Sequence, residues 1–411
     1  MQLVKKVKIC PTEAQKDTLW SLSNLCRLVY NFALAEREDA WRNDRKRVTY
    51  NKQQNDLPAL KKHYPHYTAV YSKVLQMALR TLDANYQSFF ALRRKGDEKA
   101  QPPTFKGKKH FFTMKYNQSG FSFDGLNNTR TITLSHKLND TSLSFELPIT
   151  LHNVAQVDVF QDDNKQFWLS VVCEVPTQEY HDNGLYQAWD LGVTKHTAVN
   201  TQGRFIETHI TRPDRYWEPK IESIQRRRDH CKKYSLRWTR LNANLIWMKR
   251  KSANQGRDFD HKLSKRCVEN TKANTIIVGD LNVKQLCRRN KYEKGLHTSL
   301  HNTGHVSRFV GFLAYKAERV GKTLIEIDER NTTKTCCACG KRHDMPLWKR
   351  EMICDCGNSL DRDRNSAVNI MIRFLSQNAL WTSYQQFVDN MRKTGLSIDR
   401  CSYEAPSERV V

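Results

Sequence analysis

The chain has 411 residues, and its 68 Lys and Arg against 43 Asp and Glu leave a net charge of +25. Self-repulsion on that scale calls for a polyanion, so nucleic acid is the expected partner and a small-molecule substrate is not. No run of about 20 apolar residues exists to span a bilayer, and MQLVKKVKIC carries charge where a secretion signal needs an apolar stretch. The expected setting is therefore the reducing cytoplasm of a prokaryote, close to the nucleoid, where twelve cysteines are not a disulfide framework.

Residues 2–9 read as a short strand. Thr12 and Gln15 are spaced as a capping box, and Leu22, Leu25, Cys26 and Val29 follow at helical spacing. A second long helix carries Leu75, Leu79, Leu82, Tyr86 and Phe89 on one face, the pattern of a bundle core. Its polar face holds Lys73, Gln76 and Arg80, candidates for contact with a duplex. Residues 105–112 (FKGKKHFF) mix basic and aromatic side chains, which suits phosphate contact with base stacking. Lys106 and Lys108 are the candidates there. From 119 to 175 the pattern turns to strands separated by Asn, Asp and Gly turns. A small β-barrel or sheet is expected, with the preceding helices inserted after its first strand.

A new unit begins near Gly184 with three strands joined by short turns. Residues 211–272 are helical in pattern and hold 18 Lys and Arg against 7 Asp and Glu, a net +11. The excess has one sign, so this pair of helices is expected to face nucleic acid, through Arg226, Arg227 and Arg228 among others. TIIVGD (275–280) is a short apolar strand, 305–320 a helix, TLIEID a strand, and 366–374 a helix. Strands, helices, strand, helix, strand, helix is the order of an RNase H-like α/β core. Residues 376–411 are expected to form a weakly structured tail.

Cys336, Cys339, Cys354 and Cys356 read C-x2-C-x14-C-x-C, two close pairs each followed by a glycine, the pattern of a structural zinc ribbon. The second pair is tighter than the usual C-x2-C, so Cys337 or His343 stands as an alternative fourth ligand. Asp190 and Asp280 close separate strands, and Asp363 opens the last helix. Phosphodiester hydrolysis with two Mg²⁺ ions needs carboxylates converging from separate elements. Asp361 is a supporting acid that orients Arg362 or the helix start.

Asp190-Leu191-Gly192, Asp280-Leu281-Asn282-Val283-Lys284, Tyr315-Lys316-Ala317-Glu318-Arg319, the segment from Thr333 through Gly340, and Asp361-Arg362-Asp363-Arg364-Asn365-Ser366-Ala367 occur in this order. In this set the chain resembles the TnpB family, transposon-encoded RNA-guided endonucleases related to type V CRISPR effectors. The resemblance implies an α+β multidomain protein. A wedge-like β-barrel (1–10 and 96–183) would carry an inserted helical recognition lobe (11–95). A RuvC-like nuclease core (184–330 and 361–375) would carry an inserted zinc ribbon (331–360). It also implies a guide RNA from the transposon end and a double-stranded DNA target cut beside a short adjacent motif. Asp190 and Asp363 match the family's first and third catalytic acids, and Gln76 and Arg80 fall in a helix used near the adjacent motif.

One position departs from that pattern. The family commonly has Glu before Asp-Leu-Asn, and here Gly279 stands there. Asp280 is the expected substitute ligand, through a bulge that glycine permits, with Glu269 a more distant alternative. Loss of the Glu also motivates a second reading, a guided DNA-binding protein or repressor without cleavage. A transposase acting directly in strand transfer ranks last.

Overall fold

The computed structural model describes residues 1–117, 119–124, 129–138, 141–280, 305–346 and 348–398. Leu281 to Lys284 of the family motif, Cys287 and Cys401 lie outside the described residues. The chain divides into two compact units, Met1–Val175 and Pro176–Val411.

In the first unit, β1 (Gln2–Ile9) is followed by α1 (Glu13–Asp44). The Thr12 hydroxyl accepts from the Gln15 N–H, and the Gln15 side chain accepts from the Thr12 N–H, so the capping box forms. Helices α2 (Tyr50–Asn55), α3 (Leu57–His63) and α4 (Ser72–Arg94) follow. Leu22, Cys26 and Val29 of α1 and Leu75, Leu79 and Leu82 of α4 are buried in one shared core. Strands β2 (Met114–Asn117), β3 (Phe121–Phe123), β4 (Thr129–Leu134), β5 (Leu143–Leu151), β6 (Val154–Gln161) and β7 (Phe167–Glu174) complete the unit. β1 pairs antiparallel with β7 from Gln2↔Glu174 to Ile9↔Phe167, so α1–α4 are an excursion between the first strand and the rest. Val7 and Ile9 point inward, as the period of two requires. Among the described residues the strands make two sheets, β1-β7-β6-β2 and β3-β4-β5. Register shifts at Thr129/Thr131 and Val154/Gln156 interrupt the pairing.

The second unit is built on one sheet. Its strands are β8 (Tyr186–Leu191), β9 (Lys195–Asn200), β10 (Phe205–His209), β11 (Thr275–Gly279) and β12 (Thr323–Ile327), in the order β10-β9-β8-β11-β12. β8, β9 and β10 are antiparallel neighbours, and β11 runs parallel to both β8 and β12. The helices are α5 (Pro213–Asp229), α6 (Leu236–Asn270), α7 (His305–Arg319), α8 (Arg362–Gln377) and α9 (Trp381–Lys393), and a small hairpin pairs β13 (Glu351–Ile353) with β14 (Ser359–Asp361).

Side chains alternate between the two faces of this sheet. Tyr186, Ala188, Val199, Ile277 and Ile327 pack with α8. Trp189, Leu191, Ala198, Ile276 and Val278 pack with α6 and α7 on the other face. Every residue of β11 is buried, as expected of a parallel strand covered on both sides. Among the described residues no helix is long and apolar enough to cross a membrane.

The end of the chain corrects one expectation. Residues 376–398 are not a weakly structured tail. Phe387, Val388 and Met391 of α9, and Ile398 beyond it, are buried against α8 in the same core as the sheet. α8 is buried on nearly its whole circumference because α9 covers the side that the sheet leaves open. Phe387 is fully buried. Phe387→Ala should therefore cost about 3–5 kcal/mol, read as a lower unfolding midpoint in urea; a midpoint equal to wild type would return this segment to a dispensable tail.

Candidate catalytic centre and cysteine cluster

The acids gather at one end of the second unit's sheet. Asp190 is the fifth residue of β8 and shares its face with Tyr186 and Ala188, the face that carries α8. It keeps some surface, but its carboxyl is packed among other groups. Ser366 of α8 donates to Asp190 Oδ1 at 3.2 Å. Burial pushes the Asp190 carboxyl up to about 8, with further rises from Asp363 and Glu329; the Ser366 hydrogen bond and Arg362 act in the opposite sense.

Asp363 stands in the first turn of α8. Its carboxylate lies 3.7 Å from Lys195 Nζ and 3.4 Å from Arg362 Nε. Asp361 is the N-cap of α8 and accepts from the N–H groups of Asp363 (3.0 Å) and Arg364 (3.1 Å). It thereby satisfies two N–H groups at the helix start. Lys195, at the start of β9, sits 3.3 Å from Asp361 and 3.4 Å from Glu207. Partial burial disfavours its charge, but Asp361, Asp363 and Glu207 outweigh this and its pKa is raised.

The alternation along β11 turns Asp280 away from Asp190. Ile277 packs on the α8 face and Val278 on the other, so Gly279 falls on the α8 side, with Asp190, and Asp280 on the opposite side. Asp280 is exposed, and its N–H continues the ladder to Ile327 O at 2.7 Å, leaving no bulge to re-aim it. Glu269 is further off still, on the surface of α6 in an ion pair with Lys265. Glu329 stands on the Gly279 side, two residues beyond Ile327 and therefore of the same parity. A Cβ built on Gly279 would lie 2.1 Å from Glu329 Oε2 and 2.8 Å from Glu329 Cβ. The carboxyl of Glu329 thus occupies the space into which a side chain at 279 would project. Burial pushes it up to about 7, with Asp280 and Asp328 adding to the rise. A relay of hydrogen bonds holds its main chain: Thr332 donates to the Glu329 carbonyl O from N–H (3.1 Å) and hydroxyl (2.8 Å), and the Thr332 hydroxyl lies 3.0 Å from Ser366 Oγ. The sequence signal for Glu329 was the acidic run Asp328-Glu329 closing a strand, which reading β11 alone passes over.

The cysteine cluster lies between β12 and α8. The sulfurs of Cys336, Cys339, Cys354 and Cys356 all lie within 4.8 Å of one another, which could hold a metal ion. Cys336 and Cys356 are 3.8 Å apart, and Cys339 and Cys354 are 3.5 Å apart. Gly340 and Gly357 take φ of 80° and 88°, supplying the turn after each pair. Four convergent thiols fit a tetrahedral zinc ion. His343 Nε2 lies 3.1 Å from Cys354 Sγ, beside the cluster. Cys337 belongs instead to the core under α8, and its N–H donates to Asn365 Oδ1 at 2.9 Å.

The basic candidates divide between the two units. In the first, Lys73 donates to Ser119 Oγ at 2.9 Å, Gln76 is half-buried and Arg80 is exposed. Lys106 lies over the Tyr30 ring, and Lys108 is exposed. In the second, Arg226 and Arg227 are exposed, whereas Arg228 is engaged with Asp229 and Asn242.

Comparison with known proteins agrees with this architecture. Residues 307–370 match the description of a Cas12f1-like TNB domain, and residues 1–46 match that of a helix-turn-helix domain. In the structure the latter stretch holds β1 and the single long helix α1. A Streptomyces pristinaespiralis protein bearing the name of an RNA-guided DNA endonuclease is 29% identical over 387 residues, 92% of each chain. A TnpB-like protein of Acanthamoeba polyphaga mimivirus is 33% identical over 138 residues, 33% of this chain and 26% of that one. Among solved structures, a Cas12f1–sgRNA–target DNA complex matches with TM-score 0.59 at 11% identity, over 90% of this chain and 98% of that chain. The mini-RNA-guided endonuclease CRISPR-Cas_phi3 matches with TM-score 0.55 at 10% identity, over 90% and 92%. The fold is similar to that of these two solved effectors.

Two outcomes follow from the geometry. Asp190 and Glu329 have pKa values raised in the folded state, so below pH 7–8 the folded protein holds protons that the unfolded chain has released above about pH 4. The metal-free protein should lose stability as pH rises towards 8, and Glu329→Gln should flatten that fall in melting temperature; parallel curves for the two proteins would contradict the crowding. Replacing Cys336 and Cys339 by Ser should abolish bound zinc, measured by atomic emission, and lower the melting temperature.

Proposed function

We propose that the protein is an RNA-guided, metal-dependent DNA endonuclease of an insertion sequence, with Asp190, Glu329 and Asp363 as its catalytic acids. On this reading the second unit is a RuvC-like nuclease core with an inserted zinc ribbon, and the first combines a wedge of strands with a helical recognition lobe. The observation that carries the proposal is the Glu329 carboxyl standing in the space of a residue-279 side chain, on the face shared by Asp190. Gly279 was the ground for an inactive guided binder; a carboxyl in the space beside it supports the active reading instead. The name of the Streptomyces relative, and the net +25, support nucleic acid as partner.

The carboxylates fit divalent cations: the donors are all oxygen, they come from three separate elements, and burial together with neighbouring acids raises the pKa values of Asp190 and Glu329. When bound, two Mg²⁺ ions would supply an activated water and charge neutralisation at the phosphate. The chain's own part is positional. Ser366 and the Thr332 relay hold Asp190 and Glu329, the N–H groups of α8 hold Asp361, and Arg362 and Lys195 flank Asp363. A guide RNA from the transposon end would pair with one DNA strand next to a short adjacent motif, leaving sequence choice to base pairing. The cysteine ribbon would bind one structural zinc ion.

The test is cleavage of a guide-matched plasmid by the purified protein–RNA complex. Asp190→Ala and Glu329→Ala should each lower the rate at least about 100-fold, whereas Asp280→Ala should change it no more than about threefold. Gly279→Glu combined with Glu329→Ala should recover part of the lost rate, because it returns a carboxylate to the same space. Full activity in Glu329→Ala, with loss in Asp280→Ala, would overturn the assignment.

A further inference from the structure

The helical pair α5/α6 carries a cluster of rings that the cleavage site does not use. Trp217 of α5 is only 8% exposed, and its indole N–H donates to Gln255 Oε1 at 2.7 Å. It is a fixed post between two outer rings. Tyr216 meets it edge-on at 5.3 Å and 89°, and Trp247 of α6 meets it at 6.0 Å and 88°. Those outer rings are open, Tyr216 61% exposed and Trp247 48%. A lysine stands over each: Lys220 Nζ is 3.6 Å from the Tyr216 centroid, and Lys251 Nζ is 4.8 Å from that of Trp247.

Two large rings left in water beside ammonium groups are an arrangement that stacks bases and neutralises phosphates together. A duplex offers its bases only edge-on in the grooves, so an unpaired strand is the better match. The net +11 of residues 211–272 disfavours a second copy of the chain as occupant. The position also matters. His209 of β10 pairs with Lys195, and the Ile210 N–H donates to Thr194 O at 2.9 Å. α5 therefore leaves the sheet at the end where Lys195 touches Asp361. Tyr216 follows His209 by seven residues, a chain span of at most about 20 Å.

We propose that Tyr216 and Trp247 form a stacking platform for the unpaired DNA strand on its way to the acids, with Lys220 and Lys251 taking its phosphates. The proposal rests on the nucleic-acid partner of the proposed function, but its test does not depend on cleavage. The protein–RNA complex, in EDTA, is irradiated with a single-stranded oligonucleotide carrying 5-bromodeoxyuridine, and adducts are mapped by mass spectrometry. Adducts on the peptides of Tyr216 and Trp247 are expected from the single strand and not from the same sequence fully paired. Tyr216→Ala with Trp247→Ala should weaken single-strand binding about tenfold or more and leave duplex binding unchanged, and Phe at both positions should restore most of it. Adducts elsewhere, adducts only from bromouridine-labelled guide RNA, or an equal loss on duplex would overturn the platform. A changed oligomeric state with unchanged strand affinity would make the patch a protein contact, and would overturn it too.

Discussion

The second unit is organised around a repulsion. Burial pushes the carboxyls of Asp190 and Glu329 up to about 8 and about 7, and neighbouring acids, Asp363 and Glu329 for the first and Asp280 and Asp328 for the second, add to the rise. Nothing in the local chain favours that, so the surrounding structure has to enforce it. Ser366 and Thr332 tie the strand ends to α8, Arg362 and Lys195 supply the nearby positive charge, and the cap at Asp361 fixes where α8 begins. Strained or destabilised groups persist only where the surroundings over-determine them.

The cysteine hairpin is part of that enforcement. β14 ends at Asp361, the residue that caps α8, and the Arg362 N–H donates to Arg350 O at 2.8 Å. Asn365 and Asn369, on the next turns of α8, both donate to the carbonyls of Thr332 and Thr335 at the other end of the segment. Folding energy that a metal ion supplied at the four sulfurs would thereby be transmitted to the position of Asp363.

Much of this was legible in the sequence, for reasons that are local. The capping box, the cysteine pairs and the helix opened by Asp363 are all set by residues a few positions apart. The parity argument against Asp280 was also available, since alternation along a strand needs no partner strand. What it could not supply was the replacement. That β12 lies beside β11, in parallel and in a register that pairs Gly279 with Ile327, is a property of the sheet, and only there does Glu329 become a neighbour of position 279. α9 was missed because its Phe387, Val388 and Met391 make a short stripe whose meaning depends on α8 needing a cover. The small sheets of the first unit likewise depend on pairings with shifted register that composition does not encode.

The empty Cβ position at Gly279 has a bearing on how relatives are sorted. A carboxylate at 279 and one at 329 compete for the same volume, so a chain is built for one or the other, and intermediates with both are crowded while those with neither lack the group. Reading position 279 by itself would count this chain as lacking an acid there, although the carboxyl of Glu329 stands in that space. The feature at stake is a filled volume, which a carboxyl can reach from the end of β11 or from just beyond β12.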